Sequence, residues 1–112
     1  MRKTYLRFLS LAHALESAPV SGLDETAKHL LQLIVLRHTQ GNALTVTEAM
    51  AMSNVASPAT IHRKLNTLLD AGLVVPVFEG KNRRTKYLTP TDAADAYFAE
   101  LGEVMTRAAA LT

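Results

Sequence analysis

The chain has no cysteine, four prolines and five glycines in 112 residues, and only 5% of it is aromatic. Without cysteine there can be neither disulfides nor thiolate metal sites, although this leaves the compartment open. Unbroken apolar runs are short, Leu33 to Leu36 being typical, and fall far below the roughly 20 residues that cross a bilayer. The sequence has no GxSxG, no Walker loop and no GxGxxG, so nucleophilic and nucleotide chemistry have no foothold. None of His13, His29, His38 and His62 pairs at i, i+4 spacing, and there is no HExxH or Cys/His cluster. No metal, no cofactor and no enzymatic activity are expected. Met50, Met52 and Met105 read as core filler. Internal repeats and low-complexity segments are also absent.

Hydrophobic residues make up 48% of the chain, which indicates a globular protein. Its length suits one domain with one core. Met1 to Arg7 begins like the charged region of a signal peptide, but Arg7 and His13 interrupt the apolar stretch that should follow. A cytoplasmic protein without membrane contact is expected. The net charge of +2 hides an uneven distribution. Residues 57–88 carry Arg63, Lys64, Lys81, Arg83, Arg84 and Lys86 against Asp70 and Glu79, whereas residues 89–112 carry Arg107 against four carboxylates. A basic middle and an acidic tail concentrate field on one face.

Apolar positions Tyr5, Phe8, Leu9, Ala12 and Leu15 predict an amphipathic helix over 4–17, broken by Pro19 and Gly22. A second helix is predicted over 23–39, with Asp24 and Glu25 in its first turn and Gly41-Asn42 at its end. Its segment 30–36 is apolar almost all round, as in a helix covered by several neighbours. Thr45-Val46-Thr47-Glu48 fits a capping box and opens a short helix over 46–52, followed by a turn at 53–56. Ser57-Pro58 pairs an N-cap serine with a first-position proline, and Gly72 closes the helix that it starts. Residues 73–78 are β-rich, with Pro76 marking an edge or irregular strand. Residues 84–88 return as its partner, giving a hairpin tip at Gly80-Lys81-Asn82. Thr89-Pro90-Thr91-Asp92 predicts another start, with Thr89 as N-cap and Pro90 at the first position. The last helix carries Ala94, Tyr97, Phe98, Leu101, Val104, Met105, Ala108 and Leu111 as an apolar stripe.

On a helical wheel of 58–70, Ile61, Leu65, Leu68 and Leu69 share the core-facing arc. Ala59, Arg63, Asn66 and Thr67 fall opposite, with Thr60 and His62 on the flanks. Small residues allow close approach to base edges, arginine can fork onto guanine, and Asn66 could pair with adenine. Free N–H groups at the helix start favour a phosphate oxygen. The cationic loop after it suits a minor groove, whose potential attracts arginine. The candidate DNA-binding set is Ser57, Ala59, Thr60, His62, Arg63, Lys64, Asn66, Thr67, Lys81, Arg83, Arg84 and Lys86, with double-stranded DNA as the partner.

Residues 44–92 resemble the winged helix-turn-helix of MarR-type bacterial transcription regulators. The resemblance rests on Ser57-Pro58-Ala59-Thr60-Ile61, the helix exit Leu69-Asp70-Ala71-Gly72-Leu73-Val74, the wing residues Asn82-Arg83-Arg84, and Leu88-Thr89-Pro90-Thr91 before the last helix. Asn82 stands where that family usually has an acid bracing the arginine, the turn at 53–56 lacks glycine, and the C-terminal region is short. The resemblance implies a mainly α fold with a small β-hairpin wing, flanked by N- and C-terminal dimerisation helices. It divides one domain, 1–112, into N-terminal helices (1–40), a winged helix-turn-helix (44–89) and a C-terminal dimerisation helix (90–112). Recognition helix 58–70 would enter the major groove and wing 79–86 the minor groove. It also leaves room for a small-molecule effector that releases DNA.

Two binding readings remain: a dimeric regulator reading a palindrome, and a winged-helix module that meets an acidic protein partner. The second would place an apolar patch on the arc 59–67, because protein interfaces are depleted of charge at their centre. That arc is polar and basic, which favours DNA. A homodimer is expected to form through Tyr5, Phe8, Leu9 and Ala12 with Tyr97, Phe98, Leu101, Val104, Met105 and Ala108. Left exposed, these stripes would make an apolar patch that soluble monomers rarely tolerate.

Overall fold

Among the described residues, five helices and one hairpin follow each other in the order α1 (Arg2–Ala14), α2 (Glu25–Thr39), α3 (Val46–Met50), α4 (Pro58–Asp70), β1 (Val74–Glu79), β2 (Asn82–Pro90) and α5 (Asp92–Ala110). The computed structural model describes residues 2–14 and 23–110. Leu15, Pro19, Gly22 and Leu111, and the side chains of Ala12, His13 and Asn82, lie outside what is described. The mainly α architecture with a two-stranded antiparallel hairpin is the winged-helix arrangement.

Local chemistry sets each boundary. Asp24 is the N-cap of α2 and not part of its first turn: its Oδ1 accepts the Ala27 N–H at 2.8 Å. The helix ends in a Schellman motif, with Gly41 at φ +74° and the Gly41 and Asn42 N–H groups returning to the His38 and Arg37 carbonyls. Thr45 and Glu48 close the capping box from both sides, Glu48 Oε1 accepting the Thr45 N–H at 2.9 Å and Thr45 Oγ1 accepting the Glu48 N–H at 3.1 Å. The α3 helix stops at Met50, two residues early, because the chain turns at once into Met52 to Val55. A second Schellman motif ends α4, where Gly72 and Leu73 donate to the carbonyls of Leu69 and Leu68.

One core joins α2, α3, α4, the hairpin and the start of α5. Leu23, Ala27, Leu30, Leu31 and Ile34 meet Ile61, Leu65 and Leu68 where α2 packs on α4, with Leu44, Ala49, Leu73, Val74, Leu88 and Ala94 completing it. Among the described residues the second helix packs chiefly on α4 and β2, and Leu36 is 52% exposed. Residues 44–45 run along β2, Leu88 donating its N–H to the Leu44 carbonyl at 2.7 Å and Thr45 bridging Tyr87. That leaves β1 as the outer edge, where Pro76 needs no partner for a missing N–H.

Two further boundaries differ from the sequence reading. The hairpin tip is Gly80-Lys81, and Asn82 already pairs with Glu79 as the first residue of β2. The last helix is capped by Thr91: its Oγ1 accepts the Ala94 N–H at 3.4 Å, and its carbonyl accepts the Asp95 N–H. Pro90 closes β2 opposite Val74, and Thr89, the expected cap, points its hydroxyl back to the Tyr87 carbonyl. The strand persists to Pro90 because the flanking contact of residues 44–45 falls at Tyr87 and Leu88, so the missing N–H of Pro90 leaves no ladder bond unmade.

Candidate nucleic-acid interface

The start of α4 is a small hydrogen-bonded frame. Ser57, in extended conformation, accepts the Thr60 N–H through Oγ at 3.3 Å and donates to Thr60 Oγ1 at 3.0 Å. Arg63 Nη2 donates to the same Thr60 oxygen at 3.4 Å, and Thr67 Oγ1 donates to the Arg63 carbonyl at 3.1 Å. The predicted core arc is confirmed: Ile61, Leu65 and Leu68 are buried and Leu69 is half-buried. Ser57, Ala59, His62, Arg63, Asn66 and Thr67 are exposed, and Thr60 is half-buried.

Lys64 has a different place from its neighbours. Its Nζ lies 2.5 Å from Asp24 Oδ2, so α4 is tied to the cap of α2. That hydrogen bond, with the backbone N–H of Ala27, holds the Asp24 carboxyl below its ordinary value. Glu48 is lowered too, first by the Thr45 N–H and then by the Thr45 hydroxyl.

The wing is irregular where it is most basic. Gly80, at φ +60°, makes the tip possible. Phe78 pairs with Lys86 and Glu79 with Asn82, so the ladder shifts register across residues 83–85, which bulge on the β2 side. Lys81, Arg83, Arg84 and Lys86 are all exposed. Arg83 Cζ lies 5.6 Å and Lys86 Nζ 5.2 Å from the centroid of the Phe78 ring. Thr45, Val46 and Thr47 face this segment across an open cleft lined also by Phe78, Arg83, Arg84, Thr85 and Lys86.

The two helices assigned to dimerisation meet within the chain, α1 packing on α5. Val104 and Ala108 are buried outside the main core, Phe8, Tyr97, Phe98 and Leu101 are half-buried, and Tyr5, Leu9 and Met105 are exposed. Tyr97 and Phe98 stack edge to face at 5.3 Å. Among the described residues no three His, Cys, Asp or Glu side chains gather as a metal site, and no helix is long and apolar enough to cross a membrane. The chemistry on offer is a set of donors and cations suited to a polyanion.

Sequence reasoning missed Asp24 as the partner of Lys64, and Phe78 as the base of the wing cations. No local signal announces the first, since forty residues separate the pair. The second was within reach, because a hairpin tip at 80–81 sets an aromatic on β1 against the basic start of β2.

The fold recurs in solved structures. A MarR-like transcriptional regulator from Thermotoga maritima superposes with a TM-score of 0.68 at 19% identity, covering 96% of this chain and 74% of that one. The YusO protein of Bacillus subtilis gives 0.58 at 19% identity over 97% and 70%. The heme sensor PefR of Streptococcus agalactiae, in complex with heme, gives 0.57 at 15% identity over 95% and 67%. At these identities the likeness establishes the fold, that of MarR-like winged-helix proteins. No family model and no curated protein matches the chain.

Proposed function

We propose that the protein is a dimeric transcription regulator that binds double-stranded DNA, acts in the cytoplasm and is not an enzyme. The observation that carries this reading is the capped helix α4, buried on one arc by Ile61, Leu65 and Leu68 and open on the other through Ala59, His62, Arg63, Asn66 and Thr67. An exposed face with a bidentate donor, an amide and small residues suits base edges in a major groove. The exposed cations of the wing suit backbone phosphates and the minor groove beside it. An acidic protein partner would call for an apolar centre on that arc, and Ala59 alone does not supply one.

In this reading residues 44–89 are the DNA-reading module, while 1–40 and 90–112 support it and provide the second-copy contact. Arg63 and Asn66 contact bases. Ser57, Thr60 and Thr67 contact phosphate or buttress Arg63, and Lys81, Arg83, Arg84 and Lys86 serve the wing. Lys64, tied to Asp24, sets the tilt of the helix. PefR carries heme on the same fold, which supports room for a small-molecule effector whose chemistry these residues do not specify.

The test is a salt titration of binding to random duplex DNA, followed by selection of bound sites from a randomised pool. A log–log slope of several ion equivalents and enrichment of an inverted repeat are expected. Salt-insensitive or absent binding, or a pool that enriches nothing, would overturn the reading.

A further inference from the structure

We propose that Phe78 is a positioning residue for DNA binding, its ring holding Arg83 and Lys86 in place on the wing; the inference rests on DNA being the ligand. Phe78 sits where the ladder between β1 and β2 goes out of register. Between the pairs Phe78–Lys86 and Glu79–Asn82 the β2 side is longer by residues 83–85, a bulge whose direction the regular register of the ladder does not set. The ring supplies a fixed point instead. Two cations lie 5.6 and 5.2 Å from its centroid, inside the range in which the negative face of an aromatic attracts positive charge. Gathering two like charges costs energy, and the shared ring offsets part of that repulsion.

The setting of Phe78 argues against an ordinary packing role. It is 38% exposed, at the charged end of the hairpin, and it is not among the residues packed against the main core. It also lines the open cleft between residues 45–47 and the wing, so the cations that it holds border a space that a phosphate can enter. Long cationic side chains lose rotamer freedom when they bind, and a chain that orders them beforehand loses less at the moment of contact. The ring therefore contributes to affinity without having to touch DNA.

The closing experiment measures binding of the full chain to random duplex DNA at low salt for the wild type, Phe78→Tyr, Phe78→Leu, Arg83→Ala with Lys86→Ala, and that pair combined with Phe78→Leu. Leucine keeps an apolar side chain but removes the π face, and tyrosine retains it. Phe78→Leu is expected to lower affinity about fivefold, the low end of the cost of ordering two long side chains at the moment of contact, and Phe78→Tyr to match the wild type. In the Arg83→Ala, Lys86→Ala background the leucine change should have no further effect, because the residues act as a unit. In the free protein, upfield ring-current shifts of the Lys86 ε and Arg83 δ protons should vanish with leucine and persist with tyrosine. Wild-type affinity in Phe78→Leu, or an equal loss in the background lacking both cations, would overturn the role of the ring and leave the DNA reading standing. A wild type that fails to bind duplex DNA at low salt would instead overturn the DNA reading itself.

Discussion

Arg63 and Lys64 are adjacent in sequence and do different work, because one residue of helix turns a side chain by about 100°. Arg63 points outward with its guanidinium steadied by Thr60, while Lys64 reaches back to Asp24. On the DNA reading, Arg63→Ala should cost about 1–3 kcal/mol of discrimination between the selected site and random duplex, the worth of one bidentate base contact. Equal losses on both DNAs, measured by titration at fixed salt, would reduce Arg63 to a phosphate contact. The Asp24 carboxylate makes a separate, pH-dependent prediction. Its folded pKa lies below its unfolded one, so the stabilisation is complete above about pH 4 and is lost as pH falls through the lowered folded value. Asp24→Asn should remove that component: melting curves taken at falling pH should converge for the two proteins at the acidic end. Curves that stay parallel would mean that Lys64 and the Ala27 N–H do not favour the charged form.

At the scale of elements, caps were the most legible feature and the hand-over between strand and helix the least. Ser57-Pro58 and Thr45 to Glu48 announce their helices because each cap is a local arrangement within four residues. Thr89-Pro90 carries the same local signal, yet it loses to tertiary structure. Thr91 donates its hydroxyl to the Gly72 carbonyl at 2.6 Å and its N–H to the Leu73 carbonyl at 3.0 Å, fastening the start of α5 to the end of α4. Those partners lie nineteen and eighteen residues away, beyond any periodicity argument. Thr91→Val should cost about 1–2 kcal/mol in urea unfolding, the sum of a cap and a hydrogen bond, and Thr91→Ser should restore most of it. Thr89→Val should cost less, and the reverse order would reinstate Thr89 as the cap. The wing was similarly half-legible: its hairpin was foreseen from Gly80 and the flanking apolar and basic runs, its bulge was not, because register depends on which face Leu88 must bury.

Viewed whole, the molecule is elongated, with extents of 49 × 29 × 25 Å and a radius of gyration of 15.3 Å, against about 13 Å for a compact chain of this length. Part of the chain stands away from the core: α1 packs on α5, and Val104 and Ala108 are buried there outside the main cluster. This pairing leaves apolar surface uncovered, with Tyr5 60% and Met105 57% exposed and Leu6 and Leu9 also exposed on α1. The apolar stripes seen in the sequence therefore have two sides. One side joins α1 to α5 within the chain, and on the dimer reading the other meets a second copy. A symmetric pair would cover it and set two α4 helices about one or more helical turns of DNA apart, as a palindrome requires. Wild-type protein should sediment as a dimer at micromolar concentration, and Tyr5→Glu with Met105→Glu should sediment as a folded monomer, since both side chains are solvent-facing within one chain. The same variant should retain weak, salt-sensitive binding to random duplex while losing preference for an inverted repeat over a single half-site, because its reading heads are intact and only their pairing is gone. A monomeric wild type, or a variant that stays dimeric, would remove these helices from the interface and with them the structural basis for a palindromic site.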